Sequence, residues 1–153
     1  IKILNDLVEG HKDFHFIDIG CGKGRVLIVA ENSGFRQITG IELYPELLKV
    51  AAANIKAYPG RRAESSIALV QINALDYVYL NEPAIYFLFN PFSDEVLRQV
   101  LLKILQSTRS ETWFIYMNPR YAAVFAELGI RKQRIYKTKW YTEAIVYKLE
   151  AQP

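Results

Sequence analysis

Cysteine and histidine are scarce in this sequence of 153 residues, which contains one Cys and two His. A single cysteine, Cys21, cannot form an internal disulfide, and such low cysteine usage is typical of a reducing compartment. Three side chains of these types also cannot supply the four His or Cys ligands of a structural zinc site. We therefore expect a cytoplasmic protein that binds no metal.

Long apolar runs and a secretory leader are missing as well. No apolar stretch reaches the roughly 18 residues that a membrane helix needs, and no charged segment followed by an apolar one opens the sequence. Because the sequence starts with Ile1 rather than Met, we expect native residues upstream. The composition, 51% hydrophobic and 23% charged, is that of a globular protein. The length favours a single domain over residues 1–153 and no membrane association.

The net charge of +3 is unevenly distributed along the chain. From Arg120 onward there are seven basic residues and three acidic ones, whereas the first 119 residues carry twelve basic and thirteen acidic ones. A basic C-terminal third is compatible with a nucleic acid or an acidic partner. It is equally compatible with an edge strand that Lys and Arg protect from aggregation, which is the interpretation we favour.

Apolar segments alternate with amphipathic ones along the chain. The predicted strands are 14–19, 37–43, 67–72, 84–89, 112–117, 131–137 and 143–149, and the predicted helices are 25–32, 45–58, 94–107 and 121–128. This alternation predicts an α/β fold, a three-layer sandwich whose mostly parallel seven-stranded sheet has helices on both faces. The link 138–142 is too short for a parallel crossover, so the last two strands should form an antiparallel hairpin.

A glycine-rich turn follows the first predicted strand. Residues 18–25 read Asp-Ile-Gly-Cys-Gly-Lys-Gly-Arg, and a turn without Cβ atoms lets the backbone approach a ligand closely. The spacing differs from the G-x-G-x-x-G of dinucleotide sites, and the Asp18 carboxylate would repel a pyrophosphate. It suits a cation, and S-adenosylmethionine (SAM) carries an ammonium and a sulfonium but no phosphate. The turn therefore favours SAM over a nicotinamide dinucleotide, with a purely structural turn as the alternative.

Polar residues also follow other predicted strands, where ligands bind in open α/β sheets. Glu42 ends the second strand, and its carboxylate can accept hydrogen bonds from both hydroxyls of a ribose. Asn73-Ala74 follow the third strand and are candidates for contact with an adenine, with Asp76 as the rival. Asn90-Pro91-Phe92 follow the fourth, where the Asn carboxamide can orient an acceptor amine, and Asn118-Pro119 end the fifth. Each is also explained as a solvated strand end or an ordinary turn.

These segments resemble the motifs of the class I SAM-dependent methyltransferases. Residues 16–24 are similar to motif I of that family, Glu42 to its ribose-binding acid, Asn73-Ala74 to its adenine motif and Asn90-Pro91-Phe92 to its motif IV. The resemblance extends from Phe14 to Leu149, and it implies a Rossmann-like fold and an in-line methyl transfer. The branch that methylates amino groups of nucleic acids or glutamine has a second proline in motif IV, which this sequence lacks.

The resemblance implies a SAM-dependent methyltransferase that yields S-adenosylhomocysteine, and we favour a protein side chain or a small molecule as acceptor. One alternative is a nucleic-acid methyltransferase, which would bind RNA or DNA through Arg131, Lys132, Arg134, Lys137 and Lys139. Another is a SAM-binding module without catalysis. The sequence sets no oligomeric state. The expected cofactor-binding residues are Asp18, Gly20, Cys21, Gly22, Glu42, Leu43, Asn73, Ala74 and Asn90, and the expected catalytic residues are Asn90, Pro91 and Phe92.

Overall fold

The computed structural model describes residues 2–8 and 10–151, and within these ranges the chain forms five helices and seven strands. The strands are β1 (His15–Ile19), β2 (Gln37–Glu42), β3 (Ser66–Gln71), β4 (Ala84–Leu88), β5 (Thr112–Met117), β6 (Arg131–Lys137) and β7 (Thr142–Leu149). The helices are α1 (Lys2–Val8), α2 (Arg25–Ser33), α3 (Pro45–Ala57), α4 (Asp94–Ser107) and α5 (Ala122–Glu127). Each of these helices is too short or too polar to cross a membrane.

The α/β fold predicted from the sequence is confirmed. The strands belong to one mixed sheet in the order β3-β2-β1-β4-β5-β7-β6. The β1–β2, β2–β3 and β4–β5 pairs are parallel, whereas β5–β7 and β6–β7 are antiparallel. The C-terminal hairpin is antiparallel for the expected reason, because a link this short cannot return the chain to the other end of the sheet. This is a Rossmann-like arrangement.

The first compact unit, which extends to Ala74, is built on the parallel strands β1, β2 and β3. All five residues of β1 are buried, as expected of a strand covered on both faces. Helix α2 buries Leu27 and Ala30, and α3 buries Ala51 and Ile55. The spacing of three or four residues within each pair places one apolar stripe of each helix on the core.

The second compact unit begins at Leu75 and contains β4 to β7 together with α4 and α5. Helix α4 begins as predicted, because the Oγ of Ser93 accepts a hydrogen bond from the N–H of Val96 at 3.4 Å. Aromatic rings fill the core of this unit, and the rings of Phe125 and Tyr147 are stacked with centroids 4.1 Å apart. The stacked rings and the helix cap both stabilise this unit.

Helix α1 is the element that the sequence pattern does not predict. It has seven residues, which is too few to show a clear helical period. Its residues Ile3 and Leu4 are nevertheless buried, so packing rather than local propensity accounts for this helix.

Gly40 lies where β2 passes closest to the glycine-rich turn. A Cβ at this position would lie 2.7 Å from the Sγ of Cys21 and 2.7 Å from the Cδ1 of Leu27. We expect Gly40→Ala to lower the free energy of unfolding, measured by urea denaturation, by about 1–3 kcal/mol, because overpacking a filled core forces its neighbours to move.

The control for this substitution is Gly60→Ala. The added Cβ at Gly60 would meet the ring and hydroxyl of Tyr58, which is partly exposed and can turn away. Equal losses of stability in the two variants would contradict the expectation for Gly40.

Candidate functional site

The glycine-rich turn joins β1 to α2 and lies against the end of β2. The N–H groups of Gly20 and Cys21 both donate to the carbonyl oxygen of Ile41, at 2.8 and 3.0 Å. Gly22 has a φ of +52°, a conformation that residues with a Cβ rarely adopt. A Cβ at Gly22 would meet no atom within 4 Å. The turn is therefore fixed to the sheet on one side and open at Gly22.

Glu42, the last residue of β2, holds this turn in place. Its Oε2 accepts a hydrogen bond from the N–H of Gly22 at 3.0 Å. Its Oε1 accepts from the N–H groups of Leu43 and Tyr44, at 2.9 and 3.1 Å. Two carboxylate oxygens offer about four acceptor sites, so in this arrangement one remains, on Oε2. The expected contact of Glu42 with a ribose stays a prediction.

Asp18 lies on β1, two residues before the turn, and is only 2% exposed. Burial raises the pKa of Asp18 to about 8, and the negative charge of Glu42 adds to the effect. The carboxyl group is therefore mostly protonated at neutral pH. A cation bound beside it would favour the ionised form, which is the chemistry expected of a site for an ammonium group.

The two other predicted cofactor residues of this region differ in exposure. Cys21 is buried, and burial raises the pKa of its thiol to about 12. It therefore stays protonated at neutral pH and is unsuited to act as a nucleophile. Leu43 follows Glu42 and is half exposed, so it presents an apolar surface at the end of β2.

The end of β3 lies beside Glu42. The N–H of Ile72 donates to the carbonyl oxygen of Glu42 at 3.0 Å, and Asn73-Ala74 follow directly. Asn73 is exposed and Ala74 is buried. The structure thus brings the glycine turn, Glu42 and Asn73 to the carboxyl ends of three adjacent strands. Asp76, the rival of Asn73, belongs to the second compact unit.

The predicted catalytic segment, Asn90-Pro91-Phe92, follows β4 in the second compact unit. Asn90 has a φ of +45° and Asn118, after β5, has a φ of +46°. Leu88 is the register partner of Tyr116, so the two Asn-Pro segments leave adjacent strands at the same level. A non-glycine residue in this left-handed backbone conformation lowers the stability of the fold by about 1–3 kcal/mol, and such residues are concentrated at functional sites.

Tyr116 is a contributor to this region that the sequence analysis missed. Its hydroxyl donates to the Oδ1 of Asn90 at 2.7 Å and accepts from the N–H of Tyr121 at 3.4 Å. This hydrogen bond orients the Asn90 carboxamide. A tyrosine within an apolar strand gives no sequence signal for such a role, because it is indistinguishable from a core residue.

A cavity of about 430 Å³ lies in the second compact unit. Its lining residues come from the ends of β4 and β5 and from the start of β7, and they are Phe89, Met117, Asn118, Tyr141 and Glu143. Of these, the sequence analysis singled out Asn118. The one available signal was the aromatic residue Phe89 directly after a buried strand.

Strand β6 is exposed at six of its seven residues. It carries Arg131, Lys132, Arg134 and Lys137, and Lys139 follows in the turn to β7. Lys132 pairs in register with Tyr147 and Arg134 with Val146. Val146 and Tyr147 are neighbours on β7 and therefore point to opposite faces of the sheet. Their partners Lys132 and Arg134 consequently lie on opposite faces as well.

Comparisons with known proteins agree with this fold. The sequence profile of a family described as "Methyltransferase domain" matches residues 17–113. Magnesium protoporphyrin IX methyltransferase (ChlM) from Synechocystis PCC 6803, solved with bound SAM, superposes with a TM-score of 0.67 and 12% identity over 96% of this chain and 75% of that chain. A comparison with curated proteins found no match.

Two further solved structures have the same fold. A protein from Pyrococcus horikoshii OT3 gives a TM-score of 0.74 and 14% identity over 97% of this chain and 87% of that chain. The ribosomal protein L11 methylase from Lactobacillus delbrueckii subsp. bulgaricus gives a TM-score of 0.68 and 16% identity over 99% of this chain and 79% of that chain. At such identities these structures show the fold and not the substrate.

The raised pKa of Asp18 predicts how the stability of the protein depends on pH. The folded state holds this proton up to a pH of about 8, whereas an unfolded chain releases it near the ordinary pKa of about 4. The folded state therefore binds more protons than the unfolded state between these values, so stability falls as the pH rises through this window. We expect Asp18→Asn to remove a slope of up to about 1.4 kcal/mol per pH unit.

Urea unfolding of the wild type and of Asp18→Asn from pH 5 to 8 measures this slope. The matched control is Asp76→Asn, which removes an exposed carboxyl group instead of a buried one. Identical pH profiles for the wild type and Asp18→Asn would show that Asp18 ionises normally in the folded protein.

Proposed function

Because the chain belongs to the SAM-dependent methyltransferase family, we propose that it transfers the methyl group of SAM to a protein side chain or a small molecule. The observation that carries the proposal is the glycine turn, which Glu42 holds at the carboxyl ends of parallel strands with open space at Gly22. When bound, SAM supplies a methyl group that its sulfonium already activates. The protein then has to bind, orient and desolvate the reactants.

The residues around the turn fit SAM better than a nucleotide that carries phosphates. A phosphate would face the negative charge of Glu42, whereas the ammonium of SAM favours the ionised form of Asp18. The remaining acceptor site on Glu42 suits a ribose hydroxyl. Leu43 offers exposed apolar surface for an adenine, and Asn73 a carboxamide for its amino group.

The acceptor is assigned to the segment Asn90-Pro91-Phe92. The Oδ1 of Asn90 already accepts from Tyr116, and its second lone pair can accept from the N–H of an amine. The amine lone pair is then directed away from Asn90. A neutral amine needs no further activation, which agrees with a site that relies on positioning.

A test of the cofactor site should spare Glu42, because its removal would also release the N–H of Gly22 in the turn and two N–H groups before α3. Gly22→Ala instead places a methyl group in the open space of the turn. We expect S-adenosylhomocysteine to bind the wild type with micromolar affinity and Gly22→Ala to bind at least about tenfold more weakly, which is about 1.4 kcal/mol. Isothermal titration calorimetry measures both affinities.

The matched control is Gly129→Ala. Gly129 has a φ of +72°, and a Cβ there would also meet no atom within 4 Å, so this variant carries comparable backbone strain in the second compact unit. Equal affinities of Gly22→Ala and Gly129→Ala would remove the turn from the cofactor site. A folded wild type that binds no S-adenosylhomocysteine would overturn the cofactor assignment.

A second candidate function, nucleic-acid methylation, is favoured by the exposed cations of β6. Residues 131–140 contain five basic residues and no acidic one. Their distribution over both faces of the strand also fits the protection of a sheet edge. A third candidate, a SAM-binding module without catalysis, would bind S-adenosylhomocysteine normally and transfer no methyl group.

The dependence of RNA binding on salt separates the first two functions. If β6 only protects the sheet edge, a single-stranded RNA oligonucleotide should bind with a Kd weaker than about 10⁻⁴ M at physiological salt. If β6 is a nucleic-acid surface, binding should be tighter, and a variant with Lys132→Gln and Arg134→Gln should reduce the salt slope by about 1.4, which is about 0.7 for each lost contact with a single strand. Fluorescence anisotropy measures both quantities.

The control for that variant removes two charges elsewhere. Lys49→Gln and Lys56→Gln lie on the exposed side of α3, so they change the net charge equally without touching β6. Tight binding that only the β6 variant weakens would contradict our preference for a protein or small-molecule acceptor.

A further inference from the structure

The cavity of the second compact unit has the volume of a small-molecule site. Its volume of about 430 Å³ lies within the range of roughly 300–1,000 Å³ that such sites occupy. Phe89 and Tyr141 line it and are 60% and 62% exposed. Their rings therefore retain apolar surface that a bound ligand can cover.

The charge of the lining favours one class of ligand. Glu143 is its charged member, and the other lining residues are Phe89, Met117, Asn118 and Tyr141. A carboxylate attracts an ammonium group and repels a carboxylate or phosphate, and the faces of aromatic rings also attract cations. Lys139, the basic residue nearest in sequence to Tyr141, lies with its Nζ 4.9 Å from the centroid of the Trp140 ring.

Backbone hydrogen bonds hold the lining in position. The N–H of Asn118 donates to the carbonyl oxygen of Glu143 at 2.9 Å. The Oγ1 of Thr138 accepts from the N–H groups of Trp140 and Tyr141, at 3.2 and 3.1 Å. These bonds fix the backbone from which the side chains of Tyr141 and Glu143 project into the cavity.

The cavity adjoins the segment assigned to the acceptor, because Phe89 directly precedes Asn90 and Asn118 leaves β5 at the level of Asn90. We propose that this cavity binds an apolar or aromatic methyl acceptor that carries a positively charged amine. Phe89 and Tyr141 cover its apolar body, and Glu143 pairs with the ammonium group. The methyl group goes to a separate, neutral nitrogen of the same ligand, held at Asn90, because an ammonium has no lone pair to receive it. The identity of the ligand as the acceptor rests on the proposed function, whereas the preference for an apolar cation rests on the cavity.

Two probes that differ in charge test this preference. Tryptamine and indole-3-propionate share a ring and a two-carbon chain, and they end in an ammonium and a carboxylate. We expect tryptamine to bind the full chain at least about tenfold more tightly, with shifts in the NMR spectrum of the ¹⁵N-labelled protein at Asn118 and Tyr141. Equal affinities, tighter binding of indole-3-propionate or the absence of binding by tryptamine would overturn the proposal.

Two variants test the residues. Glu143→Gln should reduce the preference for tryptamine at least about fivefold, because the carboxylate is lost while the carbonyl bond to Asn118 is kept. Tyr141→Ala should weaken both probes. Glu150→Gln is the matched control, because Glu150 pairs with Lys148 at 2.9 Å and does not line the cavity. An unchanged preference in Glu143→Gln, or an equal change in Glu150→Gln, would overturn the assignment of Glu143.

Titration with S-adenosylhomocysteine distinguishes failure of this proposal from failure of the proposed function. Glu143→Gln should keep the wild-type affinity for S-adenosylhomocysteine. If that compound binds and tryptamine does not, the cavity proposal is wrong and the methyltransferase proposal is unaffected. If tryptamine binds selectively and S-adenosylhomocysteine does not bind, the cavity remains a site for an apolar cation, and its role as an acceptor site is overturned.

Discussion

The carboxylate of Glu42 is the interaction on which the glycine turn, the proposed cofactor site, depends. One side chain at the end of β2 accepts hydrogen bonds from Gly22 in the turn and from Leu43 and Tyr44 before α3. This residue therefore satisfies N–H groups that the sheet and helices leave unpaired. The carboxylate therefore holds the glycine turn and the loop before α3 together, whether or not a ligand is bound.

Asp18 shows that this region is not optimised for stability. Its carboxyl group is buried next to the negative charge of Glu42, and both effects oppose its ionisation. An apolar residue of similar size would avoid that cost. A protonated acid that a cation can ionise couples binding to release of a proton. The feature that lowers the stability of the folded protein as the pH rises from about 4 to about 8 therefore also suits an ammonium ligand.

The sequence predicts elements well where local chemistry decides them. Strands β5 and β6 have the predicted bounds, and Ser93 caps α4, because an alternating or apolar run and a capping hydroxyl are local signals. The sequence also locates the glycine turn and the strand ends. It does not predict that Glu42 binds backbone N–H groups or that Tyr116 orients Asn90, because both depend on which donors the register brings near. The cavity is missed for the same reason, since three strand ends form it.

The strained asparagines after β4 and β5 bear on whether the second compact unit has a chemical role. Glycine would adopt the same left-handed conformation without strain, and asparagine is the side chain that tolerates it best. The backbone conformation alone therefore does not explain why position 90 is an asparagine and not a glycine. Its Oδ1, however, accepts a hydrogen bond from Tyr116, which glycine could not do. A carboxamide held at a strained position by a second side chain is better explained by what it presents to a ligand than by the turn it makes.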